Sequence, residues 1–196
     1  MFGDANLREA VPLQDLDLLQ RLTQYFDTID HHLHAGHGWF IFNADGTREM
    51  RISSLLLSRL SALQPFVTYY YVPWREFSLN AYMIEVELHS IAPLENQLAG
   101  KAKTEFDIAT RVSRDNMVKM AVSDLLVISG LRPAHHHELE FLDQTIERRY
   151  RDRLSTILLT PVLPDVLARE FAQLDATTPF WDRLFTRMYE RSLIAV

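Results

Sequence analysis

The sequence predicts an α/β fold of three layers, with a largely parallel sheet between two layers of helix. Three observations lead there. The runs "DLLVISG" (124–130) and "STILLT" (155–160) are continuously apolar, the composition of strands buried on both faces, as parallel sheets require. Strand-like segments at 39–42, 66–72, 125–128, 155–159 and 193–196 alternate with segments of helical periodicity. Glycine or proline punctuates the junctions at Gly36, Pro65, Pro73 and Pro161. No repeat, low-complexity tract or linker divides the 196 residues, so one domain over 1–196 is expected.

The elements follow in order. Over 13–34, Leu16, Leu19, Leu22, Phe26, Ile29 and Leu33 recur at spacings of three and four, which predicts a helix ended by Gly36 and Gly38. Residues 39–42 form a short buried strand. Ile52, Leu55, Leu56, Leu60 and Leu63 make one apolar stripe, giving a helix over 52–63 that Pro65 stops. "FVTYYYV" (66–72) is β-branched and aromatic, hence a strand whose tyrosines belong to the core. A turn or short helix is expected over 74–80. Partial alternation suggests a strand over 82–91, although its Glu, Leu and Met also suit a helix. A loop with a helical turn (93–103) and a helix (106–121) precede the 124–130 strand. "RPAHHH" reads as a loop, 138–153 as a helix, and 165–174 as a helix with Asp165 as its N-cap.

Composition narrows the function. There are no cysteines, so disulfides and thiolate metal sites are excluded, which fits a reducing compartment. The first residues lack a basic region followed by an apolar run, and no stretch approaches the length of a membrane span. A cytoplasmic protein is expected, with no membrane partner. The net charge of −6 argues against a dedicated nucleic-acid binder. The basic segment "ERRYRDR" (147–153) reads as a solvated helix face.

One junction suggests chemistry. The segment 38–60 runs from an apolar strand through a polar turn into a helix, the layout of a phosphate-binding loop. Such a loop needs G-x-x-x-x-G-K-[ST]: glycines let backbone N–H groups ring the phosphates, lysine neutralises them, and the hydroxyl holds Mg²⁺. The octet here is Asn43, Ala44, Asp45, Gly46, Thr47, Arg48, Glu49 and Met50. Asn43 and Arg48 replace the glycines, Glu49 the lysine and Met50 the hydroxyl. A plain β-turn-α connection, with Asp45 or Thr47 as cap, accounts for the same residues.

Beyond the octet, "HAGHGWFIFNADGTREM", "FVTYYYV", "DLLVISGLRP", "IERRYRDRLSTILLTPVLPDVL" and "WDRLFTRMYERSLIAV" follow one another in the order and spacing of a known set of motifs. Together they resemble the bacterial AAA+ ATPases of the DnaC-like and IstB-like helicase-loader and transposition-helper family, over about residues 15 to 196. The resemblance implies a P-loop NTPase-like (AAA+-type) fold. It places Ser129 and Gly130 where the Walker B acids would stand, and Pro161 at the sensor asparagine. Arg187 takes the position of the family's intersubunit arginine. Arg183, Arg187 and Arg191 step by four and share a helix face, which makes them candidate partner-facing residues.

With Walker A, Walker B and sensor residues all replaced, the resemblance implies a pseudo-ATPase with no cofactor and no catalytic residue. Glu49 would set a negative charge against phosphates, and Met50 offers no oxygen to a hard cation. The implied role is docking on a protein partner, such as an active P-loop ATPase or helicase of replication, recombination or transposition. Homo- or hetero-oligomers are compatible with it. The alternative is a nucleic-acid-binding accessory factor, which the charge does not favour. A third reading is an enzyme built on one of the histidine groups, His31, His32, His34 and His37 or His135, His136 and His137. Neither carries a metal-binding motif, and no metal is expected. No hydrolase motif is present.

Overall fold

Short strands buried along their whole length build the centre of the molecule. In the computed structural model, which describes residues 13–87 and 100–196, β1 (Gly38–Ile41), β2 (Tyr69–Pro73), β3 (Leu125–Ser129), β4 (Ser155–Leu159) and β5 (Ser192–Ala195) form one sheet. Its order is β2-β3-β4-β1-β5, and every neighbouring pair is parallel. Helices supply the crossovers that parallel strands demand. α1 (Leu13–Asp27) and α2 (Ile29–Ala35) precede β1, and the crossover helices are α3 (Gly46–Leu63), α4 (Trp74–Tyr82), α5 (Gly100–Val122), α6 (His136–Arg151), α7 (Pro164–Leu174) and α8 (Phe180–Arg191).

The period of two along each strand sends alternate side chains to opposite faces. Trp39, Ile41, Leu125, Val127, Ile157 and Leu159 pack with α1, α2 and α3. Phe40, Leu126, Ile128 and Leu158 pack with α4, α6, α7 and α8. Each fully buried Leu, Ile, Val or Phe contributes about 1.5–3 kcal/mol, so these two cores dominate stability. Gly38 is set by close approach: a Cβ there would stand 1.8 Å from the Thr156 carbonyl oxygen.

Several boundaries differ from the sequence reading, each for a local reason. The expected helix 13–34 is two helices, broken where the Thr28 hydroxyl donates back to Gln24 O. The helix expected at Ile52 starts six residues earlier, at Gly46, because polar residues fill its exposed first turns. β2 begins at Tyr69, not Phe66, whose ring is 91% exposed. Its tyrosines are half-buried because β2 is an edge strand with only β3 as neighbour. Where a strand was expected from Tyr82, α4 ends and a π-helical turn (Met83–Glu87) follows; 88–99, including most of the expected loop, lies outside the described residues. Residues 100–103 already belong to α5. His136 and His137 open α6 instead of sitting in a loop. Asp165 is not the N-cap: Leu163 takes that position, Pro164 follows, and Asp165 complements the dipole in the first turn.

The basic segment before β4 holds the largest departure. Arg149 is fully buried, not solvated. Its guanidinium donates to Met120 O (2.8 Å), Ser123 O (2.9 Å), Ser155 O (2.5 Å) and the Thr156 hydroxyl (3.0 Å). Burial pushes its pKa down to about 9, so it stays cationic at neutral pH, and four oxygens satisfy it. It ties the end of α5 and the start of β4 to α6.

Candidate functional site at the carboxyl end of the sheet

In open parallel α/β sheets, ligands bind beyond the carboxyl ends of the strands. Here those ends are the last residues of β1, β3 and β4 with the connections and helix start that follow, and the sequence-derived octet, Walker B and sensor positions lie along them. The β1–α3 connection spans only Phe42, Asn43, Ala44 and Asp45. Gly46, Thr47, Arg48, Glu49 and Met50 are already in the first turns of α3. Asp45 occupies the N-cap with extended backbone, but its side chain makes no capping hydrogen bond.

The backbone of this connection is consumed by its neighbours. Phe42 N donates to Ala195 O (2.8 Å), Asn43 N to Val162 O (3.1 Å) and Ala44 N to Thr160 O (2.8 Å). In return Thr160 N donates to Ile41 O (2.9 Å), and Leu131 N to Leu159 O (2.8 Å). The buried Thr160 hydroxyl reaches Leu131 O at 2.8 Å. Thus the three connections are stitched to each other. Pro161 sits between two residues that hold this seam, and as proline it has no amide to offer. Asn43 and Gly46 both have positive φ, 54° and 47°, but no atom lies within 4 Å of where a Gly46 Cβ would be. Gly46 therefore relieves the backbone of the turn and is not required by a crowded site.

Arg48 closes the turn from below. Its Nη1 donates to Asn43 O (3.0 Å) and Phe42 O (3.3 Å), and its Nε pairs with Asp15 at 3.0 Å. The buried Asp15 also holds Arg51 at 3.2 Å, and Arg51 donates to the Thr47 hydroxyl at 3.1 Å. The octet's only hydroxyl is therefore engaged. Met50 is exposed and borders a groove between α1 and α3 of about 650 Å³, with Leu19, Thr23 and Leu55 on its walls.

The Walker A-like and Walker B-like positions do meet. Glu49 Oε1 lies 3.6 Å from where a Cβ on Gly130 would stand. Buried Ser129 takes a hydrogen bond from the Tyr71 hydroxyl at 2.9 Å, and that hydroxyl also lies 3.2 Å from Ser53 Oγ. The cluster thus holds one carboxylate and three hydroxyls. Among the described residues, no group of three or more His, Asp or Glu side chains is arranged to hold a metal ion. Sequence reasoning missed Asp15, Tyr71 and Thr160; only their place in the fold brings them to the loop.

The arginines read as partner-facing turn toward α6. Arg183 pairs with Asp143 at 2.7 Å, and Arg187 with Asp143 at 2.7 Å and with Glu147. Arg191 donates to Tyr150 O at 2.6 Å and stacks over its ring. They share a face, as their spacing predicts, but the face is occupied within the chain. The second histidine group caps α6: His136 reaches Asp175 at 3.0 Å, and buried Glu138 accepts from the amides of Ala134 (2.6 Å) and His135 (3.2 Å).

A five-stranded parallel sheet in this order, with a strand-turn-helix after β1 and the β3 and β4 ends beside it, defines an AAA+-type P-loop NTPase fold. The solved structures agree. The DnaC helicase loader superposes with a TM-score of 0.64 at 13% identity, over 97% of this chain and 94% of that one. AMPPCP-bound DnaA from Aquifex aeolicus gives 0.56 at 14%, over 95% of this chain and 48% of that one. A DNA replication initiation factor gives 0.53 at 12%, over 96% and 48%. No family model and no curated protein matches the sequence. Among the described residues no helix is long and apolar enough to cross a membrane.

Proposed function

We propose that this chain is an AAA+-like domain that has lost nucleotide chemistry and acts as an interaction module. It would be an accessory or regulatory subunit that docks on a protein partner, such as an active ATPase or helicase, in DNA replication, recombination or transposition. One observation carries the loss of chemistry. The amides of Asn43 and Ala44 are spent on Val162 O and Thr160 O, and Arg48 braces the turn from Asp15. Those two amides are therefore not available to a phosphate. Glu49 beside Gly130 adds like charge where a phosphate would sit. Positions 129–130 offer no acid to order Mg²⁺ and a water, and the Ser129 hydroxyl accepts from Tyr71.

The replication context rests on the fold relatives, and the protein-docking role on the absence of any other chemistry in the octet. The test has two arms. The double change Arg48→Gly with Glu49→Lys restores the two most visible octet residues; the expected ATPase rate is that of the unchanged protein, because Ser129 and Gly130 still leave the metal and the water without an acid. Rapid hydrolysis by this variant would overturn the reading. Affinity purification from the native host is expected to bring down a P-loop ATPase or helicase that also binds the purified chain directly. Direct binding to nucleic acid with no protein partner would replace the docking role by the accessory nucleic-acid role.

A further inference from the structure

Three imidazoles meet at the amino end of the sheet, opposite the octet. His31 and His32 lie on α2, and His37 stands just before β1. The His32 ring centroid is 5.7 Å from that of His31 and 5.8 Å from that of His37, and His31 and His37 are 6.4 Å apart. His32 also stacks on Tyr25 of α1, with centroids 4.5 Å apart and planes 20° apart.

The same residues join three elements. The Tyr25 hydroxyl donates to His37 O at 2.8 Å, which ties α1 to the start of β1. His32 O accepts from the His37 amide at 2.8 Å and from the Ser155 hydroxyl of β4 at 3.4 Å. Gly36 ends α2 with a φ of 70°, and a Cβ there would stand 2.7 Å from Arg153 O. The end of α2 therefore fits closely against the approach to β4, and His32 sits where α1, α2 and β4 meet.

A charge on His32 is poorly received at this joint. Its Nδ1 is shielded from solvent and has no hydrogen-bond partner. A neutral ring can leave that nitrogen bare. The cation carries a proton on both nitrogens, and Nδ1–H becomes a buried donor without an acceptor. The surrounding groups offer no compensation. Among the described residues, the only histidine ion pairs are those of His136. From α1 come Tyr25, whose hydroxyl burial keeps neutral, and Arg21, which lies over the Trp39 ring and pairs with Asp17. His31 and His37, when protonated, repel a charge on His32. From β4 comes the Ser155 hydroxyl, and Arg153 before it is a further cation. From α8, Glu190 and Arg191 line a pocket with His32 and His37, but their charges are opposite and both are held by Tyr150. Burial first, then His37 and His31, hold His32 below the ordinary imidazole range.

We propose that His32, flanked by His31 and His37, is an acid-sensitive latch: its neutral ring locks α1 and α2 to the amino end of the sheet, and charging it opens that joint. α1 and α2 cover Trp39, Ile41 and Ile157 of the sheet, so opening loosens the cover over that face. The folded pKa of His32 is lower than the unfolded one. Its stabilisation is fully present above the unfolded value, about 6.5, and is lost as pH falls through the folded value. The latch is independent of whether the octet binds ATP.

The test follows the full chain by NMR from about pH 8 to about pH 5, across the ordinary imidazole value. The His32 ring is expected to titrate with a midpoint below about 6.5. On acidification the Gly36 and His37 amides, which donate to Leu33 O and His32 O, are expected to lose protection from hydrogen exchange. His32→Phe keeps a ring against Tyr25 that cannot be charged, so this loss is expected to fall to about half or less. His34→Gln, at an exposed position, leaves the loss as in the unchanged chain. The pair His31→Gln with His37→Gln removes both neighbouring charges, and the His32 midpoint is expected to rise; this arm does not depend on the folding of His32→Phe. A His32 midpoint at or above about 6.5 overturns the proposal. So does an equal loss of protection in His32→Phe and the unchanged chain, or a His32 midpoint that the paired change leaves unmoved.

Discussion

The two ends of the sheet are held together by different polar groups. At the carboxyl end, the connections after β1, β3 and β4 bond to one another, and Arg48, Asp15, Arg51 and Thr47 form a chain of ion pairs and hydrogen bonds, in which the buried Arg48 Nε has an ion-pair partner but no hydrogen bond. At the amino end, Arg149 fastens the framework with four hydrogen bonds, and the solvent-shielded His32 Nδ1 has no hydrogen-bond partner. An AAA+-type fold ordinarily offers ligand-binding groups at the carboxyl end. Here the Asn43 and Ala44 amides at that end are bonded within the chain. A strand-turn-helix scaffold therefore does not by itself make a phosphate site; free amides do.

Each prediction breaks one side of this contrast. The largest effect belongs to the amino-end fastener. Arg149→Ala leaves buried carbonyls of Met120, Ser123 and Ser155 without their donor, so urea denaturation is expected to show a loss of about 3–5 kcal/mol. A loss below about 1 kcal/mol would mean that Arg149 is not the tie described. Next comes the carboxyl-end brace. Arg48→Ala leaves buried Asp15 with Arg51 alone and frees two loop carbonyls, for an expected loss of about 1–3 kcal/mol by the same measurement. It should create no affinity for ATP, since the amides of Asn43 and Ala44 keep their partners.

Smaller again is Asp143→Ala, which removes the acceptor shared by Arg183 and Arg187 at the α6–α8 contact. Both arginines are partly exposed, so about 1 kcal/mol is expected in thermal or urea melts. The same change releases the α8 arginines, and a partner that uses this face should bind the variant more tightly. Unchanged partner affinity would remove these arginines from the interface.

The smallest effect depends on pH. Hydrogen bonds from the Thr177 hydroxyl, from Thr178 and from the Thr177 amide, with His136 beside them, hold the Asp175 carboxyl well below the usual carboxylate range. The folded pKa is therefore lower than the unfolded one. Its stabilisation is fully present above the unfolded value, about 4, and is lost as pH falls through the folded value. Melts of Asp175→Asn should show a deficit at pH 7 that narrows below about pH 4. A deficit that stays constant down to pH 2 would place its origin elsewhere.

Much of the fold was legible in the sequence. The runs at 125–129 and 155–159 are buried on both faces because parallel strands are covered by helices on each side, and the β4 run has the expected limits. The β1-turn-α3 layout was legible too, because an apolar strand, a polar turn and an apolar stripe have different periods. What was not legible depends on long-range partners. Arg149 reads as a surface charge until α5 and β4 close over it. Arg183 and Arg187 share a face by spacing, but only the fold puts Asp143 opposite. Asp15 carries no signal in α1 beyond helix-dipole complementation, and its tie to Arg48 spans the approach of α1 to α3. The octet shows which residue types are present; whether the Asn43 and Ala44 amides are free depends on Thr160 and Val162, more than a hundred residues away.

The central claim is that the carboxyl-end connections are closed to nucleotide. It is tested most directly by isothermal titration of the unchanged chain with Mg-ATP. The account predicts no saturable binding. A stoichiometric isotherm with micromolar affinity, abolished by substitutions at Asn43–Met50, would contradict it.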